Sequence, residues 1–417
     1  MSSFSTPFGR STSRMTLFHH CNKKYFFQYY TNRLKDISPD IRLDTLLLKN
    51  LTSFKMRLGE KTHHVIADYL RLLLLSRETS SLSWAETFVT SSLSAENANI
   101  ARSIGDTEQN NTYTSPPIQS SKWQVSEEQI TQLNASMRQT MQQEFQLAKN
   151  RQYKRYDKDQ KFGFKEFCYG DSDEIPLSSH PERSEGSRNK SQSHMSLEEG
   201  VDRVLWNLDA FIASGLHTTV QEYFARGYKA YIESNESDFE QMKLILDHHP
   251  VLQDVTIRAG PDFGITATDN TYYIYDRKSG IQKDIAQETI TDQLKIYAYK
   301  LLCNTKKTLD NTTIYAYEVY LPSMYMIGGK VSQADIDSIK QKVVDDVQEL
   351  QSLVVDWSIK NNIPQHVDSF QRTTDSSKCL WCSMKRVCAA LKKIDGDHSP
   401  NPILDTLAEE LDSGRLF

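Results

Sequence analysis

Long apolar runs are missing from this 417-residue sequence. The densest apolar stretch is Leu70–Leu75, far shorter than the roughly 20 residues that a membrane-spanning helix needs. The N-terminus has no basic region followed by an apolar core, and no G-x-x-x-x-G-K-[ST] motif occurs. These absences predict a soluble cytoplasmic protein without membrane contact, secretory leader or P-loop motor of its own.

A global excess of positive charge is also missing, since the net charge is −5 at pH 7. Residues 1–78 nevertheless hold 13 Lys/Arg against 6 Asp/Glu, a surplus of 13 − 6 = 7 positive charges. Within Lys23–Tyr30 two lysines are followed by five aromatic residues, a mixture typical of surfaces that bind phosphate and stack on bases. The stretch alone favours the plainer alternative of an amphipathic helix with a solvated basic face.

Cysteine is scarce, and its distribution is uneven. Three of the six cysteines, Cys379, Cys382 and Cys388, form a C-x2-C-x5-C motif within ten residues. Without a secretory leader, disulfides are not expected, so this spacing predicts a bound metal or cluster. Cys168 and Cys303 fall outside the motif and are interpreted as ordinary thiols.

Composition divides the chain into four predicted parts. Residues 1–78 form an N-terminal helical segment, and residues 79–245 form a helical insertion. Two polar stretches of the insertion, about 90–124 and 170–196, are expected to be mobile because they cannot bury enough apolar surface. Residues 246–361 form the core, and residues 362–417 form a C-terminal cysteine segment with a tail.

The core predicts a mixed α/β (α+β) fold. Its β-branched and aromatic runs predict strands over 255–259, 263–268, 272–275 and 312–321, with a hairpin turn at Asp269-Asn270. Apolar residues at helical spacing predict a helix over 285–302, and Ser332 begins a long helix to about Asn361. This order predicts one sheet with a crossover helix packed on it.

Two short motifs bring carboxylates to this sheet. Asp276 and Lys278 are two residues apart on a predicted strand, so both side chains point to the same face. Asp262 lies at the start of the preceding strand of the same predicted hairpin. Two carboxylates that share a site repel each other unless a cation lies between them, and hard oxygen ligands favour Mg²⁺ or Mn²⁺. The alternative is a surface ion pair beside exposed hairpin carboxylates.

These motifs resemble those of the PD-(D/E)XK nucleases, specifically the RecB/AddB-like branch that includes the CRISPR-associated four-cysteine iron–sulfur nucleases. Gly260-Pro-Asp-Phe-Gly264 is similar to the first acidic motif, Asp276-Arg-Lys278 to D-x-K, and Gln293-Leu-Lys-Ile-Tyr297 to Q-x-x-x-Y. The resemblance implies a restriction-endonuclease-like mixed sheet flanked by helices. Gly59-Glu-Lys-Thr-His63 resembles the G-x-x-x-H motif of the same branch, whose histidine binds metal. Because His64 follows directly, the sequence leaves two candidates for the metal-binding histidine.

The resemblance also implies a role for each residue of the site. Asp262, Asp276, His63 and the main-chain carbonyl of Arg277 would hold Mg²⁺ or Mn²⁺. Lys278 would orient the attacking water, and Gln293 and Tyr297 would support the site or bind the strand.

The cysteines extend the resemblance to both ends of the chain. Cys21 in His20-Cys-Asn-Lys-Lys-Tyr-Phe-Phe is similar to the first cluster cysteine of the branch, with Asn22 in place of the usual proline. With Cys379, Cys382 and Cys388 it implies a [4Fe–4S] cluster that joins the N- and C-terminal segments. A zinc site with the same four thiols is the alternative.

The sequence therefore predicts a metal-dependent DNA nuclease, an exonuclease that acts on single-stranded or end-containing DNA in repair, recombination or defence. Lys23, Lys24 and Tyr25 are predicted to contact the DNA. A helicase or another subunit of a nuclease complex is the expected partner. The alternative is a non-catalytic iron–sulfur subunit that binds DNA or assists assembly.

Overall fold

The computed structural model describes the following parts of the chain: residues 9–30, 42, 45, 48–49, 51–76, 124–149, 163–164, 175–176, 194–233, 256–257, 259–280, 288–356, 363–380, 382–394 and 401–405. The predicted mobile stretches 90–124 and 170–196 lie outside the described residues, apart from residues 124, 175–176 and 194–196. Cys168 and the predicted helical residues 285–287 also lie outside them.

Ten α-helices are described: α1 Thr12–His20, α2 Asn22–Tyr29, α3 Phe54–Leu75, α4 Glu127–Lys149, α5 Leu197–Ile212, α6 Gly215–Ala225, α7 Asp292–Thr305, α8 Gln333–Gln351, α9 Ser377–Leu380 and α10 Lys385–Ile394. The described strands are β1 Gly9–Arg10, β2 Leu51–Thr52, β3 Gly163–Phe164, β4 Ile175–Pro176, β5 His194–Met195, β6 Lys229–Ile232, β7 Thr256–Ile257, β8 Phe263–Thr266, β9 Thr271–Lys278, β10 Thr313–Tyr320, β11 Tyr325–Lys330, β12 Val354–Asp356 and β13 Ile363–Pro364. Within this described part, no helix is long and apolar enough to cross a membrane.

A five-stranded mixed sheet lies at the centre, in the order β11-β10-β9-β8-β6. Strands β9 and β10 are parallel, whereas every other neighbouring pair is antiparallel. Helix α7 makes the crossover that parallel neighbours require. The β8–β9 hairpin turns at Asn270, which has a φ of 61°, a left-handed conformation that asparagine tolerates better than most residues.

Helices cover both faces of the sheet. Buried side chains of α1, α2, α7 and α8 pack with Ile274 and Ala316 on one face. Those of α3, α4, α5 and α6 pack with Tyr275 and Val319 on the other. Alternation along β9 and β10 gives each face its own core, as expected for a sheet buried on both sides. This is a mixed α/β architecture consistent with a restriction-endonuclease-like fold.

Most core elements match their predictions, and three differ. The helix predicted over 285–302 is observed as α7, Asp292–Thr305, and residues 288–291 before it are not helical. The long helix that begins after Ser332 ends at Gln351, not near Asn361. The Ser352 hydroxyl donates to the carbonyl of Glu349, and the β-branched Val354 then starts the β12–β13 pair. The predicted strand over 255–259 is described only as β7, which pairs in parallel with β1 and not with the central sheet.

The N-terminal helices are attached to the C-terminal part of the chain. The buried Arg10 guanidinium donates to the carboxylate of Asp346 on α8 at 2.5 and 3.0 Å. The Lys23 ammonium on α2 donates to the carbonyl of Val367 at 2.9 Å. These contacts bring Cys21, which lies between α1 and α2, to the C-terminal cysteines.

Candidate active site and cysteine-lined cavity

Two adjacent strands bring Asp262 and Asp276 together. Phe263 pairs with Tyr275 across the β8–β9 ladder, so the residue before Phe263 and the residue after Tyr275 are cross-strand neighbours. The main-chain N–H of Arg277 donates to Oδ2 of Asp262 at 2.5 Å. Both carboxylates are buried, with 6% of Asp262 and 3% of Asp276 exposed. The hairpin thus places two desolvated carboxylates at one edge of the sheet.

Asp276 is the centre of a polar network with α7. The Tyr297 hydroxyl and the Gln293 amide donate to its Oδ1 at 3.0 and 3.2 Å. The Lys278 ammonium donates to Oε1 of Gln293 at 2.8 Å and forms an ion pair with Asp276. Gln293 and Tyr297 reach one carboxylate because residues four apart share a helix face. The network fixes the position of the Lys278 ammonium.

The two carboxylates differ electrostatically. Burial, and then the charge of Asp262, raises the pKa of Asp276, although Lys278 acts in the opposite direction. Burial alone would raise the pKa of Asp262, but His63 and Arg277 lower it well below its ordinary value. Asp262 is therefore held as a carboxylate, which is the form that binds a cation.

Helix α3 adds an imidazole to this edge. Nδ1 of His63 lies 3.1 Å from Oδ1 of Asp262, whereas the neighbouring His64 is exposed. One helical turn earlier, Gly59 is so close to Ser279 that a Cβ at that position would lie 2.7 Å from its hydroxyl oxygen. The glycine lets α3 approach the end of β9, and this approach brings His63, not His64, to the carboxylates.

Sequence reasoning missed Glu233. This residue directly follows β6. Its carboxylate forms a group with a ring nitrogen of His63 and a carboxylate oxygen of Asp262, and the three ligand atoms are all within 4.8 Å of one another. Burial, and then the charge of Asp262, raises the pKa of Glu233 to about 7. A single glutamate after a four-residue strand has no distinctive spacing, so only the β6–β8 pairing reveals it.

Glu318 was missed as well. It lies opposite Asp276 in the parallel β9–β10 register and is 5% exposed. Its carboxylate accepts hydrogen bonds from Thr291 and Tyr320, each at 2.8 Å, and lies 4.0 Å from the Lys278 ammonium. Glu318 therefore links the start of α7 to the sheet beside the D-x-K motif. The alternation of Thr312–Leu321 predicts the strand but not this register.

Arg277 adds a buried positive charge beside the carboxylates. Its side chain is 3% exposed, and its Nε lies 3.7 Å from Oδ2 of Asp262. Within the described part of the chain, none of its three guanidinium nitrogens has a hydrogen-bond partner. Burial lowers the pKa of Arg277, and the nearby carboxylates Asp262, Glu233 and Asp276 oppose this effect. The guanidinium thus offsets part of the negative charge of the site.

The four predicted cluster cysteines meet at one cavity. Cys21, Cys379, Cys382 and Cys388 all line it, together with basic residues that include Lys24 and Arg372. Burial, and then nearby Cys382, raises the pKa of Cys388 to about 12. Burial also raises the pKa of Cys382. Thiols that are buried together in this way gain most from a cation that binds them as thiolates.

Both donor sets fit the groups that they are predicted to hold. An imidazole and nearby carboxylates suit Mn²⁺ or Mg²⁺, because hard oxygen ligands favour both ions and imidazole suits Mn²⁺ better. Four cysteines around one cavity suit an iron–sulfur cluster or zinc.

The predicted DNA contacts need a correction. Lys23 is 3% exposed and donates to a main-chain carbonyl, and Tyr25 is fully buried in the core. Buried side chains cannot contact a phosphate or stack on a base. Only Lys24 of the three remains partly exposed, and it lines the cysteine cavity. Tyr25 and Phe26 of α2 belong to the core because their rings pack against Phe18 of α1 and against Phe370.

Comparison with known proteins gives one match. The model of the PD-(D/E)XK nuclease superfamily matches residues 172–389, slightly more than half of the chain. This range includes Glu233, Asp262, Asp276 and Lys278 but neither His63 nor Cys21. No curated protein and no solved structure matches the chain.

Proposed function

Because the chain belongs to the PD-(D/E)XK nuclease superfamily, we propose that it is a metal-dependent DNA nuclease of the RecB/AddB-like iron–sulfur branch. We propose that it acts as an exonuclease on single-stranded or end-containing DNA, in repair, recombination or defence. The observation that carries the proposal is the convergence of Asp262, Asp276, Lys278 and His63 at one edge of the sheet.

The proposed reaction is hydrolysis of a phosphodiester bond. His63, Asp262, Asp276 and the main-chain carbonyl of Arg277 would hold Mg²⁺ or Mn²⁺. When bound by these residues, the metal ion would supply a Lewis acid that would lower the pKa of water and offset the charge of the phosphate. The Lys278 ammonium, which is held by Gln293 and Asp276, orients the attacking water. Tyr297 and Gln293 keep Asp276 in place through their hydrogen bonds.

The proposed [4Fe–4S] cluster would be bound by Cys21, Cys379, Cys382 and Cys388. The position of all four cysteines around one cavity supports a site that the four thiolates share. Zinc with the same four thiolates is the alternative, and measurement of iron, sulfide and zinc distinguishes the two. A helicase-type partner on another chain stays a prediction.

The decisive experiment is digestion of end-labelled single- and double-stranded DNA with Mg²⁺ or Mn²⁺. We expect the full-length protein to cut DNA, and Asp276→Asn and Lys278→Met to slow cleavage by at least about 10²-fold, because each removes a group that acts on the reacting atoms. Lys342→Met is the matched control, since Lys342 also pairs with an aspartate, Asp292, but lies on the exterior. Wild-type protein that leaves every DNA substrate intact would overturn the proposal.

A further inference from the structure

The main chain of Glu233 is fixed relative to Asp262. Its N–H donates to the carbonyl of Asp262 at 3.0 Å, which extends the β6–β8 ladder by one step. Its own carbonyl accepts a hydrogen bond from the Arg71 guanidinium of α3. Both polar groups of the Glu233 main chain therefore have hydrogen-bond partners, one in the first acidic motif and one on α3.

The Glu233 side chain completes a set of donors. Its carboxylate, a carboxylate oxygen of Asp262 and a ring nitrogen of His63 lie within 4.8 Å of one another. One imidazole with two carboxylates is a donor set that suits Mn²⁺ and, less well, Mg²⁺. Oδ1 of Asp276 accepts hydrogen bonds from Gln293 and Tyr297, whereas its Oδ2 forms the ion pair with Lys278, so Glu233 would add to the ligand set without replacing Asp276.

The charge of the site leaves room for a divalent cation. When ionised, the carboxylates of Asp262, Asp276, Glu233 and Glu318 provide four negative charges, and Arg277 and Lys278 provide two positive ones, so 4 − 2 leaves two negative charges. The Arg277 guanidinium is buried and has no hydrogen-bond partner among the described residues, so it offsets charge without occupying the oxygens of Glu233.

We propose that Glu233 is a protein ligand of the divalent metal ion, which would then lie between Glu233, His63 and Asp262. This inference rests on the proposed function, since it concerns the same ion. It assigns a metal-binding role to a residue outside the G-x-x-x-H, D and D-x-K motifs.

Calorimetric titration of Mn²⁺ into the full-length protein tests the ligand role without DNA. We expect Glu233→Gln to weaken Mn²⁺ binding by at least about tenfold, because an amide replaces a carboxylate ligand. The control is Glu222→Gln, which removes one exposed carboxylate from α6 and should change the affinity by less than about twofold. Glutamine keeps the size of the side chain and can donate a hydrogen bond to Asp262, so the substitution tests the carboxylate itself. Unchanged Mn²⁺ affinity in Glu233→Gln would overturn the proposal.

Thermal unfolding supplies a second measurement. Mn²⁺ should raise the Tm of the wild type and raise that of Glu233→Gln much less, since a ligand stabilises only the fold that binds it. If Glu233→Gln does not fold, Glu233→Asp retains the charge but retracts the carboxylate by one methylene. It should also weaken Mn²⁺ binding, and wild-type affinity in this variant would overturn the ligand role.

The outcomes for the two proposals are separate. A wild type that binds Mn²⁺ through Glu233 but cuts no DNA overturns the nuclease function and supports the ligand assignment. If the wild type cuts DNA and Glu233→Gln binds Mn²⁺ with wild-type affinity, the nuclease function is supported and the ligand assignment is overturned.

Discussion

Nδ1 of His63 lies 3.1 Å from Oδ1 of Asp262, although 199 residues separate them in the chain. The contact forms because α3 packs on the face of the sheet that also receives α5 and reaches the end of β9 through Gly59. The histidine lies outside the part of the chain that the superfamily model matches. The candidate site is therefore complete only when the N-terminal helices are in place.

This contact predicts an unequal effect of two adjacent substitutions. His63→Ala should lower Mn²⁺-supported DNA cleavage at least about tenfold, because it removes the one imidazole beside Asp262 in the described part of the chain. His64→Ala removes an exposed ring and should change the rate less than about threefold. Initial rates across a Mn²⁺ titration measure both. Equal losses in the two variants would contradict the assignment of His63.

A cluster in the cysteine cavity should lose its iron when Cys21, which is far in sequence from the other three cysteines, is substituted. Cys21→Ser should remove most of the iron, the sulfide and the visible absorption, and should lower the Tm, because the cluster would join both ends of the chain. Cys303→Ser is the matched control, since Cys303 lies on α7, away from the cavity. Elemental analysis of anaerobically purified protein is the measurement. Stoichiometric zinc without iron would contradict the cluster.

Helix α5 packs so closely against α3 that one added methyl group at Gly200 is expected to destabilise the protein. A Cβ at Gly200 would lie 2.8 Å from Cζ of Phe54 and 3.0 Å from Cδ2 of Leu58, and both side chains are buried. Gly200→Ala should destabilise the protein by about 1–3 kcal/mol despite the better helix propensity of alanine. Gly215→Ala, with no atom within 4 Å of its added Cβ, should be neutral or stabilising. Urea unfolding distinguishes the two, and equal stabilities would contradict the close contact.

The burial of Lys300 predicts that the free energy of unfolding rises with pH. Burial lowers the pKa of this lysine to about 7, and its ammonium donates to the carbonyl of Ala259, just before the first acidic motif. Between pH 7 and about 10 the unfolded lysine retains a proton that the folded lysine loses, so the free energy of unfolding rises with pH over this window.

The measurement for Lys300 is a difference between variants. From pH 7 to pH 9, the free energy of unfolding of the wild type should rise relative to that of Lys300→Met by roughly 1–2 kcal/mol. Lys342→Met removes a lysine that is largely exposed and should show no such change. If the free energies of unfolding of wild type and Lys300→Met differ by the same amount at both pH values, the folded and unfolded states bind the same number of protons at Lys300. The prediction would then be wrong.

Local patterns were enough to predict much of the sheet. Alternating apolar residues and the Asp269-Asn270 turn predicted the β8–β9 hairpin, and spacing of four placed Gln293 and Tyr297 on one helix face. Glu233 and Glu318 were missed because their positions depend on which residues pair across strands, which no single segment encodes. Lys23 and Tyr25 were misassigned because a basic aromatic helix looks alike whether its aromatic residues face a core or a ligand.

The attachment of α1 and α2 to the C-terminal part of the chain also orders events during synthesis. Lys23 and its acceptor Val367 are 344 positions apart, and at roughly 5–20 residues per second the first must wait on the order of tens of seconds for the second. A chain that stops before Asp346 lacks the carboxylate that pairs with the buried Arg10 guanidinium in the folded protein. The contacts that fix α1 and α2 can therefore form only after most of the chain has been synthesised.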